Sequence, residues 1–248
     1  MADLLGDDPP KMTSKPSRNE KATAAKPHYL GHRQRLRQRL IETGGEGMAD
    51  YEILELILCM ALPQKDMKPL SKELLRRFGS FAGVVSASPE RLMEVPGIKE
   101  TGLAAIKSIR AAAVRLAKAD LSELPVIGSW DRLVDYCRAI QGHDLHESFR
   151  ILFLDRKNHL IADEVQQRGT VDHTPLYPRE VVKRALDLGA SALILVHNHP
   201  SGDATPSKDD IAMTRLVKEA AAKLGIQVHD HVVISKREAA SFKAMGLL

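Results

Sequence analysis

Ala192-Leu-Ile-Leu-Val-His-Asn-His-Pro-Ser-Gly-Asp-Ala-Thr-Pro-Ser-Lys-Asp-Asp210 is the stretch from which the fold can be read. Its first five residues are a continuous apolar run, the pattern of a strand buried on both faces. His197 and His199 follow two apart, so on a strand both imidazoles project from one face. Pro200-Ser-Gly202 lets the chain reverse, and Ser207 opens a helix with Asp210 in its first turn. Strand, turn and helix in that order belong to an α/β domain.

Two same-face imidazoles suit a tetrahedral zinc with nitrogens at about 2.0–2.1 Å. Asp210 can point back to the same place and make a third ligand. Three protein ligands leave the fourth position open, the arrangement of a catalytic zinc site. A competing explanation needs no metal: Ser207-Lys-Asp-Asp210 also fits a helix capping box.

Working outward, a helix is expected from about Lys208 to Leu224, closed by Gly225, then a strand over Ile226–Ile234 and a short terminal helix. Upstream, Phe149–Leu154 and Leu160–Val165 flank Asp155-Arg-Lys-Asn158 as a β-hairpin. Ser129 can cap a helix over Trp130–Ile140, and Pro178 opens another that ends near Gly189. Residues 126–248 therefore read as an α/β domain with a central mixed sheet. Ala119-Asp-Leu-Ser-Glu-Leu-Pro125 reads as a linker. Residues 28–118 show helical spacing through Tyr51–Leu62, Leu70–Phe78, Arg91–Val95 and Leu103–Leu116, a small helical domain. Residues 1–27, rich in Pro, Lys, Ser, Asp and Ala, bury too little to offset their ordering entropy and are expected to be a disordered tail.

Four Tyr, five Phe and one Trp imply an aliphatic core and argue against surfaces that stack nucleic-acid bases. Ile53–Leu62 is too short to span a bilayer and contains Glu55, so no membrane partner is expected. Cys59 and Cys137 fall in different domains, and the first residues lack a secretory pattern. Both point to free thiols in a reducing cytoplasm. The net charge of +4 lies wholly in residues 1–124, with 20 Lys+Arg against 16 Asp+Glu, while residues 125–248 hold 16 of each. Any attraction to polyanions belongs to the N-terminal half.

His-x-His, seven residues, Ser, two residues, Asp resembles the JAMM motif of the MPN-domain metalloproteases, with His197, His199, Ser207 and Asp210 filling it. Arg168-Gly-Thr170, Tyr177-Pro-Arg-Glu-Val-Val182 and Leu195–Gly202 are similar to the bacterial RadC family (UPF0758-type), and the likeness covers nearly everything from residue 28 to 248. The resemblance implies one zinc ion per chain and hydrolysis of a peptide or isopeptide bond in a peptide or protein substrate. In the JAMM family a Glu at the start of an early strand activates the zinc-bound water. Glu147 occupies the matching place, with Glu164 as its rival. Ser207 would donate a hydrogen bond to the oxyanion.

Other zinc chemistries fit worse. Nucleobase deaminases need a Cys pair that is absent, and no His-Glu-x-x-His helix exists. His229-Asp-His231 is a second same-face pair without a suitably spaced carboxylate, expected to be structural or to support a ligand. His173 lies on a Thr/Pro-rich loop and is expected to line a groove at most.

Leu92-Met-Glu-Val-Pro-Gly-Ile-Lys99 with Gly102-Leu-Ala-Ala-Ile106 resembles a helix-hairpin-helix, with Lys99 where working versions carry a second glycine. His32-Arg-Gln-Arg-Leu-Arg-Gln-Arg39 puts Arg33/Arg37 and Arg35/Arg39 in two stripes, by default a solvated helix face. These features keep a second class open, a nucleic-acid-associated repair or recombination factor whose zinc site is structural or differently used. DNA would then be bound through the N-terminal half.

Overall fold

The computed structural model describes residues 28–63, 65–122, 125–128, 130–168 and 176–248. The expected tail over residues 1–27, the expected cap Ser129 and the loop residue His173 lie outside the described residues.

Helix α1 (His28–Thr43) leads into α2 (Asp50–Ala61), which carries the longest apolar run of the first half. Leu54 through Cys59 are all buried, Glu55 included, so α2 is the central helix of its domain. Around it pack α3 (Lys68–Phe78), α4 (Phe81–Ser86), α5 (Pro89–Met93) and the first half of α6 (Glu100–Ser122). Helical periodicity passes over α4, because six residues make less than two turns. Its local signal is Ser80, whose Oγ accepts from the Gly83 N–H at 3.0 Å.

The linker expected from Ala119 begins later. Helix α6 runs through Ser122, and Leu121 is 1% exposed. Val114, Ala117 and Leu121 recur at helical spacing and join the core of the second domain, so packing carries the helix past the expected boundary. The Arg110 guanidinium donates to the Ile140 carbonyl at 2.8 Å and ties the same helix to that domain.

A 3-10 turn (Val126–Gly128) and α7 (Trp130–Gln141) precede β1 (Ser148–Leu154), β2 (Leu160–Arg168), α8 (Pro178–Asp187), β3 (Ala192–Asn198), α9 (Lys208–Ala222), β4 (Gln227–Ile234) and β5 (Ala239–Ser241). The sheet order is β2-β1-β3-β4-β5, antiparallel throughout except for β3 beside β4. It is a mixed sheet, as expected. One face (Phe149, Ile151, Phe153, Leu193, Leu195) packs on Val181, Ala185, Val217 and Ala221 of α8 and α9. The other (Leu152, Leu154, Ile194, Val196, Val232) packs on Leu133, Val134 and Tyr136 of α7 and on Leu121. All seven residues of β3 are buried, as the middle strand between two helical layers requires.

The expected terminal helix is instead β5 followed by a single turn. The Ser235 Oγ accepts from the Glu238 N–H at 2.9 Å, and the Ser235 N–H donates to the Glu238 carbonyl at 2.9 Å. That tight reversal lays Ala239–Ser241 against Val232–Ile234, and edge pairing replaces helix formation.

Candidate metal centre

The register of the sheet brings the site together. Phe149 of β1 lies opposite His197 of β3, and extending that antiparallel register by two residues sets Glu147 across from His199. The His199 N–H still bonds the Ile234 carbonyl, at 2.9 Å, so the strand direction persists one residue past β3. Gly202, at φ 98°, then turns the chain back, and Ser207 caps α9.

His197 Nε2 and His199 Nε2 face each other at 2.9 Å. Asp210 Oδ1 is 3.2 Å from His197 Nε2, and Oδ2 is 3.6 Å from His199 Nε2. Glu147 Oε1 stands 3.8 Å from His199 Nε2. Among the described residues, no other three His, Cys, Asp or Glu side chains bring their ligand atoms so close together.

The donor set fits a zinc ion. His199 Nδ1 is 2.8 Å from the Asp203 carbonyl oxygen, which can only accept, so a proton sits on Nδ1 and Nε2 is the nitrogen turned to the cluster. A tetrahedral ion with nitrogens near 2.0–2.1 Å separates neighbouring ligand atoms by about 3.3 Å. The observed spacings of 2.9, 3.2 and 3.6 Å bracket that value.

Electrostatics agree. Burial works to raise the Asp210 carboxyl, but bonding to His197, His199 and Ser207 overrides it and holds the group well below the usual carboxylate range. The Asp210 carboxylate raises His199, against the opposing effect of burial. His231 sits directly behind His197, its Nε2 2.7 Å from His197 Nδ1, and burial drives its pKa well below the ordinary value. Phe149 stacks on His197 with ring centroids 5.8 Å apart, and Phe242 stacks on His231 at 4.4 Å. The inner side of the cluster is therefore apolar.

The helix cap does not take Asp210 away from the cluster. Asp210 Oδ2 accepts from the Ser207 N–H at 2.7 Å, and Ser207 Oγ accepts from the Asp210 N–H at 3.1 Å. The same carboxylate turns its other oxygen to His197. The cap therefore orients Asp210 for the histidines.

Several other candidates are placed elsewhere. Both carboxylate oxygens of Glu164 are held by Arg184, at 2.8 and 2.6 Å. His229 and His231 do not share surroundings. The β3–β4 register slips between Leu193 and Ile194, leaving His229 as a bulge that bonds Asn158 Oδ1 at 2.8 Å. Arg33 leaves the expected solvated stripe: it is buried and donates to the Pro63 and Lys65 carbonyls. Gly97 makes the expected turn at φ 101°, but α6 opens with Glu100, whose charge opposes a phosphate at that helix end.

Spacing did not single out two residues that shape the site. Asn198 lies between the histidines, and its amide holds the segment that carries Glu147. Thr214, four residues after Asp210 and so on the same face of α9, meets His231 at 2.6 Å. Helical spacing from Asp210 is the signal that would have found it.

A mixed sheet with helices on both faces, and a His-His-Asp cluster at the mouth of its middle strand, defines a JAB-type domain. Family comparison agrees: residues 127–247 match the model of the RadC-like JAB domain, and residues 28–104 match that of the UPF0758 N-terminal region. A UPF0758 protein of Rhodobacter capsulatus is 58% identical over 213 residues, spanning 86% of this chain and 100% of that protein. The chain belongs to the RadC/UPF0758 family.

Proposed function

We propose that this protein is a zinc-dependent hydrolase of peptide or isopeptide bonds, with one ion held by His197, His199 and Asp210. The observation that carries it is the convergence of two imidazole nitrogens and a carboxylate within 3.6 Å, with a second carboxylate, Glu147, 3.8 Å away. A bound zinc supplies Lewis-acid polarisation of a carbonyl and a lowered pKa for water in the open position.

The chain's own residues do the rest. The Glu147 carboxylate takes a proton from the attacking water as its oxygen adds to the scissile carbonyl carbon, and delivers that proton to the nitrogen as the C–N bond breaks. Ser207 accepts from the Asp210 N–H, which leaves its own hydroxyl proton for the oxyanion. Phe149 and Phe242 keep the back of the site dry, which strengthens each of these interactions. A nucleic-acid role through the helical domain is the weaker reading, because Arg33 is spent on backbone carbonyls and Glu100 stands at the start of α6.

Metal analysis of the purified chain tests the site. About one zinc per chain, lost in His197→Ala/His199→Ala, is expected, and a metal-free wild type after zinc is supplied overturns the proposal. Glu147→Gln keeps zinc and loses turnover on a peptide or isopeptide panel. Undiminished turnover would remove Glu147 from its role.

A further inference from the structure

We infer that the face of the sheet away from the His-His-Asp cluster holds a binding site for a small amphipathic carboxylate, an apolar body with one anionic head. The register slip between β3 and β4 makes His229 a bulge. His229 and Asp230, although consecutive, therefore open on one hollow, while His231 faces the other way, toward His197. The hollow lies between the start of α7 and the short β5. Its volume is about 750 Å³, within the range of small-molecule sites.

Two kinds of side chain make its apolar half. Ile127, Trp130 and Met245 stand at the rim and are 43%, 40% and 52% exposed, three large apolar groups gathered at one opening. Ala239, Ala240 and Ala244 also line the space and are too short to fill it. The cationic half continues past His229 and Lys243 into a second hollow of about 250 Å³, which both residues also line, together with Lys218. Among the described residues, no carboxylate lies within ion-pairing distance of Lys218 or Lys243.

Asp230 sets the sign and direction of the ligand. It is buried, and its oxygens accept from the His231 and Lys243 N–H groups, at 2.7 and 3.0 Å, and from the Ser241 hydroxyl. Three donors already hold that charge, so it does not call for a cationic ligand, and the two lysines would repel one. The same charge keeps a second carboxylate off the floor of the hollow. The ligand's head therefore lies toward Lys243 and Lys218, and its apolar body lies along Ile127, Trp130 and Leu133. The sheet separates this site from His197, His199 and Asp210, so it stands or falls independently of the hydrolase proposal.

Trp130 is the only tryptophan of the 248 residues, so its emission reports on the apolar half without a label. Decanoate, kept below its micelle concentration, is the probe, titrated into the full chain by fluorescence and calorimetry. One decanoate per chain is expected, with a saturable change in Trp130 emission. Affinity should rise about 2- to 4-fold for each methylene from hexanoate to decanoate. Lys218→Gln/Lys243→Gln should weaken decanoate about 3- to 10-fold and leave decanol, the same body without the charge, unchanged. Ala239→Phe narrows the floor and should weaken both. If that variant fails to fold, the lysine and chain-length comparisons still decide. Decanoate that binds without changing Trp130 emission, or binds the double lysine variant equally well, overturns the inference. So does an absence of binding. If sedimentation then shows a dimer that shields Trp130 from acrylamide, the hollow belongs to a second copy of the chain.

Discussion

Asn198 and Ser148 are joined twice: the Asn198 amide oxygen accepts from the Ser148 N–H and from its Oγ, each at 2.9 Å. On its other side the Asn198 amide nitrogen donates to the His146 carbonyl at 3.0 Å. One buried amide therefore clamps both flanks of Glu147 from a position between the two histidines. Asn198→Ala leaves these groups unpaired at a cost of about 1–3 kcal/mol. The expected result is wild-type zinc content with faster amide exchange at residues 144–148. Wild-type exchange there would show that the clamp is idle.

Ser207 and Asp210 share a cap, but only one of them belongs to the ligand cluster. Ser207→Ala should cost about 1 kcal/mol of stability and keep zinc. Asp210→Ala should lose both the cap and the metal. Denaturant melts paired with metal analysis separate the two effects, and equal zinc loss in both variants would tie ligation to the cap itself.

Arg33 is expected to be a stability residue. Its guanidinium satisfies two carbonyls just past the end of α2, and hydrogen bonds to a charged group contribute about 1.5–3 kcal/mol. Arg33→Ala should lower the urea midpoint clearly, while Arg37→Ala, at an exposed position, should leave it nearly unchanged. Matching midpoints for the two variants would return Arg33 to the surface stripe.

Burial pushes the Cys137 thiol from 9.0 up to about 12. An acid whose pKa rises on folding contributes stability that is intact below its unfolded value and is lost as pH climbs toward the folded one. Stability should therefore fall between about pH 9 and 12, and less steeply in Cys137→Ala. At neutral pH the native thiol should resist disulfide reagents until urea unfolds the chain. Rapid labelling of Cys137 in native buffer would contradict its burial.

The sheet and the His-His-Asp cluster were legible because their signals are local and periodic. The turn Asp155-Arg-Lys-Asn158 marks the hairpin of β1 and β2, an apolar run marks β3, and Ser207 with Asp210 marks the start of α9. What escaped depends on partners distant in the chain. β5 forms because the edge of β4 is open to it, and Ala239–Ser241 is too short to announce itself. The two histidines of His229-Asp-His231 part because β3 and β4 slip by a residue, a property of pairing that neither strand carries alone. The burial of Arg33 answers to carbonyls 30 and 32 residues away, beyond the reach of any helical period.

Helix α6 has Leu103 and Ile106 in the first core and Val114, Ala117 and Leu121 in the second. Its 23 residues make a strut about 35 Å long, with no hinge between the two bodies it serves. The helical domain is then held at a constant offset from the mouth of the His-His-Asp cluster, as by a ruler. Inserting one residue near its middle would swing one body against the other by about 100° and re-aim the helical domain relative to that mouth.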